Sequence, residues 1–213
     1  MQFKAKTIQR TLSLQRILRK SALRLYLCCA EIVDYDEFIK ELSLPDTFNS
    51  WFRISELHMW LCTVRLASEG PEGKFIRNEM LKALWVDAKK RGKKLGGTGY
   101  YETAESIDIL CGQLKFAFVA YDEGLLSDDK TLAGAVWRNF FEMKSEDATK
   151  IDKLVEFIRK QVINFDIIVI IYLEKQDSSI ILPTGLMTFL PLKGHAEDEA
   201  RTKAILKEIL SRT

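Results

Sequence analysis

The stretch "SLPDTFNSWF", residues 43–52, decides how this chain is read. Pro45 cannot continue a helix, whereas Asp46 and Thr47 each offer an oxygen to the free N–H groups that open a new one. From Phe48 to about residue 67 the segment is apolar on nearly every side: Trp51, Phe52, Ile54, Leu57, Met59, Trp60, Leu61, Cys62, Val64 and Leu66 leave only a thin polar strip. A helix of that kind is usually buried on several sides. It is either the central helix of a core or one wall of a groove that holds an apolar guest. In the second case Phe48, Trp51, Phe52 and Trp60 are the residues that meet a partner or client. Both readings use the same side chains.

Helical periods continue outward in both directions. Residues 21–32 extend an N-terminal helix, and "DYDEFIKEL" is a short second helix with Asp34 and Asp36 at its positive end, stopped by Pro45. Beyond the central helix, Gly70-Pro71 reads as its terminator. A fourth helix covers about 74–91, where Ile76, Met80, Leu84 and Ala88 fall four apart in one stripe, and Gly92 breaks it. "LGGTG", residues 95–99, is a flexible connection. A fifth helix, about 103–122, places Ile107, Leu110, Leu114, Phe118 and Tyr121 on one side. "SDD" at 127–129 and "SED" at 145–147 each read as a hydroxyl cap with acids in the first turn, opening a sixth and a seventh helix. Ile151, Leu154, Val155, Ile158 and Val162 mark the inner face of the seventh, with Arg159 and Lys160 suited to its C-terminal end. The β-branched "IIVIIYL", residues 167–173, changes the pattern and reads as part of a short hairpin or a packed tail. A last helix covers about 197–211. The expected fold is an all-α bundle of about seven helices with an irregular or short β-like C-terminal segment and a final helix. Its parts are a basic amphipathic segment (1–20), a helical domain (21–165) and a tail (166–213).

Composition excludes several classes of function. With 47% hydrophobic and 29% charged residues, the chain is not mainly disordered. Its net charge of +2 requires any attraction to nucleic acid or anionic lipid to come from a local patch. Cys28, Cys29, Cys62 and Cys111 include no C-x-x-C pair, which fits a reducing compartment, and His58 and His195 are far apart in sequence. No metal site and no cofactor is expected, and no apolar run approaches the ~20 residues of a spanning helix.

The candidate sites are few. "KKRGKK", residues 89–94, concentrates charge in Lys89, Lys90, Arg91, Lys93 and Lys94. It is either a solvated helix end or a contact for phosphate, in RNA or in anionic lipid. No aromatic residue interleaves it, so base stacking is not indicated, although Tyr100 and Tyr101 follow soon after. Residues 4–24 are rich in Lys and Arg, and no acid occurs before Glu31. That pattern suits a mitochondrial presequence, a membrane-surface helix, or a first structural helix with a basic face. Arg53 and Glu56 can pair across one turn, but Glu56 and His58 do not share a face, so no catalytic pair is expected. "GGTG" lacks the Gly-Lys-Ser/Thr of a phosphate loop. The acidic turn "YDEGLLSDD" is explained by helix starts.

Several blocks taken in order, "ALRLYLCCAEIVDYDEFI", "LPDTFNSWF", "LHMWLCTVRL", "YDEGLLSDDKTLAGAVWRNFF" and "LVEFIRKQV", resemble the ubiquinol–cytochrome c chaperone family from about Ala22 to Phe165. The signature falls on Asp46, Phe48, Asn49, Trp51, Phe52, His58 and Trp60. The resemblance implies a non-enzymatic helical protein on the matrix side of the mitochondrial inner membrane. It implies an assembly factor for ubiquinol–cytochrome c reductase that receives new cytochrome b with a small second assembly factor, in some lineages near the mitochondrial ribosome. It carries no catalytic residues. The alternative is an RNA- or ribosome-binding mitochondrial translation factor.

Overall fold

The computed structural model describes residues 2–95, 104–173 and Leu192. The described residues contain no β-strand. The helices are α1 (Gln2–Leu27), α2 (Tyr35–Leu42), α3 (Phe48–Leu66), α4 (Gly70–Leu95), α5 (Ala104–Leu126), α6 (Asp129–Asn139) and α7 (Ala148–Leu173). A π-helical turn, Cys28–Ile32, follows α1, and a 3-10 turn, Ala67–Glu69, links α3 to α4. The all-α expectation therefore holds.

Around α3 the other helices assemble. It packs on α2, α4, α5 and α7, while α1 lies along α4 and α6 bridges α5 to α7. Thr47 caps it by accepting the Ser50 N–H at 3.4 Å. Every residue of α3 from Ser50 to Cys62 is buried, which is why its sequence shows almost no polar strip. The α4 stripe of Ile76, Met80, Leu84 and Ala88 is fully enclosed, as are Leu154 and Ile158 of α7. Cys29 of the π-helical turn and Cys62 of α3 face each other with their sulfurs 3.6 Å apart, and all four cysteines are free thiols.

Several local expectations are corrected. α2 ends at Ser43, two residues before Pro45. Ser43 adopts the left-handed conformation (φ 51°), and its N–H donates to the carbonyls of Ile39 and Lys40. Gly70-Pro71 starts α4 and does not finish α3. Gly70 has φ +59°, which suits glycine, and Pro71 sits in the first turn, where its missing N–H costs nothing. Gly92 does not break α4, which runs through it to Leu95. Gly92 is buried, so packing against the bundle offsets the ~1 kcal/mol that glycine loses to alanine in a helix.

The caps of α6 and α7 are aspartates, not the preceding serines. Asp128 Oδ1 accepts the Thr131 N–H at 2.8 Å, and Asp147 Oδ1 accepts the Thr149 N–H at 3.0 Å. α6 stops at Asn139. Residues 167–173 continue α7 as helix and form no hairpin, so α7 carries straight through residues 165 and 166, where the expected tail starts. A long unbroken helix satisfies its backbone groups locally except at its two ends, whereas a lone two-stranded hairpin leaves both outer edges unpaired. The glycine loop at 96–99, Tyr100, Tyr101 and the expected helix at 197–211 lie outside the described residues.

Candidate functional site

The four aromatic residues expected to meet a client are part of the core. Phe52 and Trp60 have no exposed surface, Phe48 is 6% exposed and Trp51 is 9% exposed. Phe48 stacks against Phe52 with centroids 6.3 Å apart, and Trp60 packs on Tyr121 of α5 at 5.1 Å. Of the two readings of α3, the structure takes the central helix. The space expected beside Trp51 and Trp60 is filled by α4, α5 and α7.

The signature residues act as tie points between helices. Trp60 Nε1 donates to Asp122 Oδ1 of α5 at 2.8 Å. Asn49 Nδ2 donates to Glu142 Oε1 of the α6–α7 loop at 2.8 Å. His58 Nδ1 lies 2.7 Å from the Ile54 carbonyl, four residues back, and its ring stands edge-on to Phe38 at 5.1 Å. Burial lowers the His58 pKa to about 4, so at neutral pH the ring is uncharged and donates Nδ1–H to that carbonyl.

A buried polar cluster crosses the bundle through Arg53. Its guanidinium meets Glu56 at 3.3 Å, Gln113 of α5 at 3.0 Å and Glu142 at 3.3 Å. Burial pushes the Glu56 pKa up to about 7 against the opposing pull of Arg53. Burial would also raise Glu142, yet hydrogen bonds from Lys144 and Asn49, with Arg53, bring it down to about 2. Glu142 and Met143 both have positive φ, which turns the loop back over Asn49 and Arg53. The residues 43–49 and this loop form the two walls of a cleft of about 440 Å³. Asn49, Arg53 and Glu142 line it but answer one another. Glu56 is engaged by Arg53 and His58 by its own helix, so the arrangement holds no nucleophile–base pair. Among the described residues no His, Cys, Asp and Glu cluster suits a metal ion.

The basic run divides in two. Lys89, Lys90, Lys93 and Lys94 are exposed. Arg91 is not part of that surface. It is paired with Asp87 at 3.0 Å and with Glu31 at 3.2 Å, and it lies over the Trp51 ring.

Sequence reading missed the outer face of α5. Ile109, Phe116, Val119 and Leu126 are all exposed there, Phe116 by 77% and Leu126 by 88%. They follow one another at steps of seven, three and seven residues, the spacing that lines one side of a helix facing another helix. The signal was available: Ile107, Leu110, Leu114 and Tyr121 already fill the inner face, so the apolar residues left over had to point outward.

With that geometry in place, comparison with known proteins is informative. A family model described as ubiquinol-cytochrome C chaperone matches residues 40–168. The chain is 39% identical over 175 residues to the ubiquinol-cytochrome-c reductase complex assembly factor 1 of Xenopus laevis, covering 82% of this chain and 83% of that protein. The Homo sapiens protein of that name is also 39% identical over 82% of this chain, but the match spans only 56% of its length. Protein CBP3, mitochondrial, of Saccharomyces cerevisiae is 31% identical over 180 residues, 51% of its length. The crystal structure of the Cbp3 homolog from Brucella abortus superposes with a TM-score of 0.62 at 17% identity, covering 89% of this chain and 97% of that one, which speaks to the fold alone.

Proposed function

This chain belongs to the ubiquinol–cytochrome c chaperone family, and from that membership we propose that it is an assembly factor for ubiquinol–cytochrome c reductase. In this reading it makes and breaks no bond. It shields newly made cytochrome b, together with a small second assembly factor, at the matrix face of the mitochondrial inner membrane.

The observation that supports this most directly is the exposed α5 stripe. Cytochrome b is an apolar multi-span protein whose helices aggregate in water unless covered. A holding factor must present apolar surface without collapsing on itself. Phe116, Val119 and Leu126 stand clear of a core that is already complete without them. The polar ties of Arg53 to Gln113 and of Trp60 to Asp122 keep α5 fixed while its outer face is used. Trp60 supports α5 from behind through Tyr121, whereas Phe48, Trp51 and Phe52 pack on one another and on α4.

The test is complementation in cells lacking their own relative, with assembled reductase and crosslinking to cytochrome b as readouts. We expect the wild-type chain to restore the reductase. Phe116→Ser with Val119→Ser, at surface positions, should melt normally yet fail to crosslink or restore. A reductase built in full without the chain overturns the reading. So does turnover of a small metabolite by the purified protein.

A ribosome- or RNA-binding translation factor is the second reading, favoured by the exposed Lys89, Lys90, Lys93 and Lys94. Binding to protein-free RNA with a steep salt dependence supports it.

A further inference from the structure

Leu23 and Leu27 of α1 and Val86 of α4 line an open groove of about 430 Å³ between the two helices. All three are exposed, Val86 by 56%. Arg19, Lys82 and Lys90 line the same groove. Along α4, Lys82, Val86, Lys89 and Lys93 recur at steps of four, three and four residues. They form one exposed stripe about 16 Å long, taking about 1.5 Å per residue.

The acids facing the groove are engaged. Glu79 is held by Lys82 at 2.6 Å and by Arg19 at 3.6 Å. Asp87 accepts from Tyr26 at 2.8 Å and from Arg91 at 3.0 Å, and Glu31 is met by Arg91 at 3.2 Å. Among the described residues Lys89, Lys90 and Lys93 have no acidic partner. The face is therefore cationic, with apolar side chains set among the cations.

We propose that the α1–α4 face is a membrane-docking surface for an anionic lipid bilayer, with Leu23, Leu27 and Val86 entering the headgroup–acyl boundary while the lysines meet the phosphates. Each half of this pattern has a use there. Apolar side chains gain by leaving water for the acyl boundary, and lysines gain by nearing phosphate. An RNA backbone rewards the lysines but gives nothing for three aliphatic side chains placed between them. No described helix is long and apolar enough to cross a membrane.

The proposal rests on the membrane-peripheral location stated above, and its test separates the two. The purified full chain is floated with vesicles of phosphatidylcholine alone or mixed with phosphatidylserine, at low and high salt. Binding is expected only to the anionic vesicles. Lys89→Gln, Lys90→Gln and Lys93→Gln together should weaken it about 100-fold at low salt, about fivefold for each lysine. Leu23→Gln with Val86→Gln should weaken it about tenfold at either salt, with unchanged melting.

Three results overturn the proposal. One is a wild-type chain that ignores anionic vesicles. Another is an apolar double variant that floats like wild type. The third is binding to RNA or to an acidic peptide that needs the lysines alone while vesicles are ignored. A chain that ignores vesicles yet restores the reductase in cells leaves the assembly reading standing. One that binds vesicles as expected yet restores nothing sinks that reading and keeps this one.

Discussion

The guanidinium of Arg91 lies over the indole of Trp51, 4.7 Å from the ring centroid. One residue comes from the basic run and the other from the aromatic run, and each is the other's partner. Arg91 also holds Asp87 and Glu31, so a single side chain ties the last turn of α4 to the first turns of α3 and to the π-helical turn after α1.

Replacing Arg91 by Ala should therefore cost about 1–3 kcal/mol of stability in urea unfolding, from the lost stack and the part-buried pair with Asp87, the exposed pair with Glu31 adding little. Arg91→Lys should recover only part of it, since an ammonium keeps the charge but not the planar fork. A double-mutant cycle with Trp51→Leu should return a coupling near 1 kcal/mol. A coupling of zero would show that the ring face is unused.

Two buried groups on α3 respond to pH in opposite senses. Glu56 in the folded chain titrates near 7, above its ordinary 4.5, so the folded state holds the extra proton and this contribution falls as pH rises from about 4.5 to 7. His58 titrates near 4, below its ordinary 6.5, so the unfolded state holds the extra proton and this contribution rises with pH from about 4 to 6.5. The two oppose each other through most of that range. Glu56→Gln should remove one side of the balance, leaving stability that climbs steeply from pH 4 to 6.5. Melting temperatures across pH for wild type and variant check this. Parallel profiles would refute it.

Arg159 closes the end of α5. It donates to the carbonyls of Leu125 at 2.7 Å, Gly124 at 3.3 Å and Ser127 at 3.2 Å, and pairs with Asp129 at 3.0 Å. Arg159→Met keeps the stem and removes the donors. A loss of about 2 kcal/mol is expected, with faster amide exchange in the last turn of α5. Unchanged exchange there would mean that water serves those carbonyls equally well.

Gly124 of α5 lies against the backbone of α6. A Cβ added there meets the Leu132 Cα at 2.6 Å, which is backbone and cannot step aside. Gly124→Ala should destabilise by about 1–3 kcal/mol despite alanine's better helix propensity. Thermal unfolding decides, because a gain in stability would mean that the helices separate freely.

What the sequence made legible follows from periodicity. The inner stripes of α4, α5 and α7 repeat every three to four residues, and their burial is as expected. The α3 run was ambiguous because a filled core and an open apolar groove require the same residues. Only the positions of α4, α5 and α7 separate the two. Arg91 was assigned to the surface because its neighbours are lysines, and its partners Glu31 and Trp51 are distant in sequence. Gly92 looked like a stop because a single glycine signals a break unless packing holds it. The α5 outer stripe was readable in Phe116 and Val119 once the inner face was full.

The burial of α3 on every side has a kinetic corollary. Ser50 to Cys62 are all buried, so no fluctuation of a single neighbour frees their amides. Those protons should leave only when the entire molecule opens, making this one segment a clock for complete unfolding. A protease would find no partially loosened form in which that stretch can be cut.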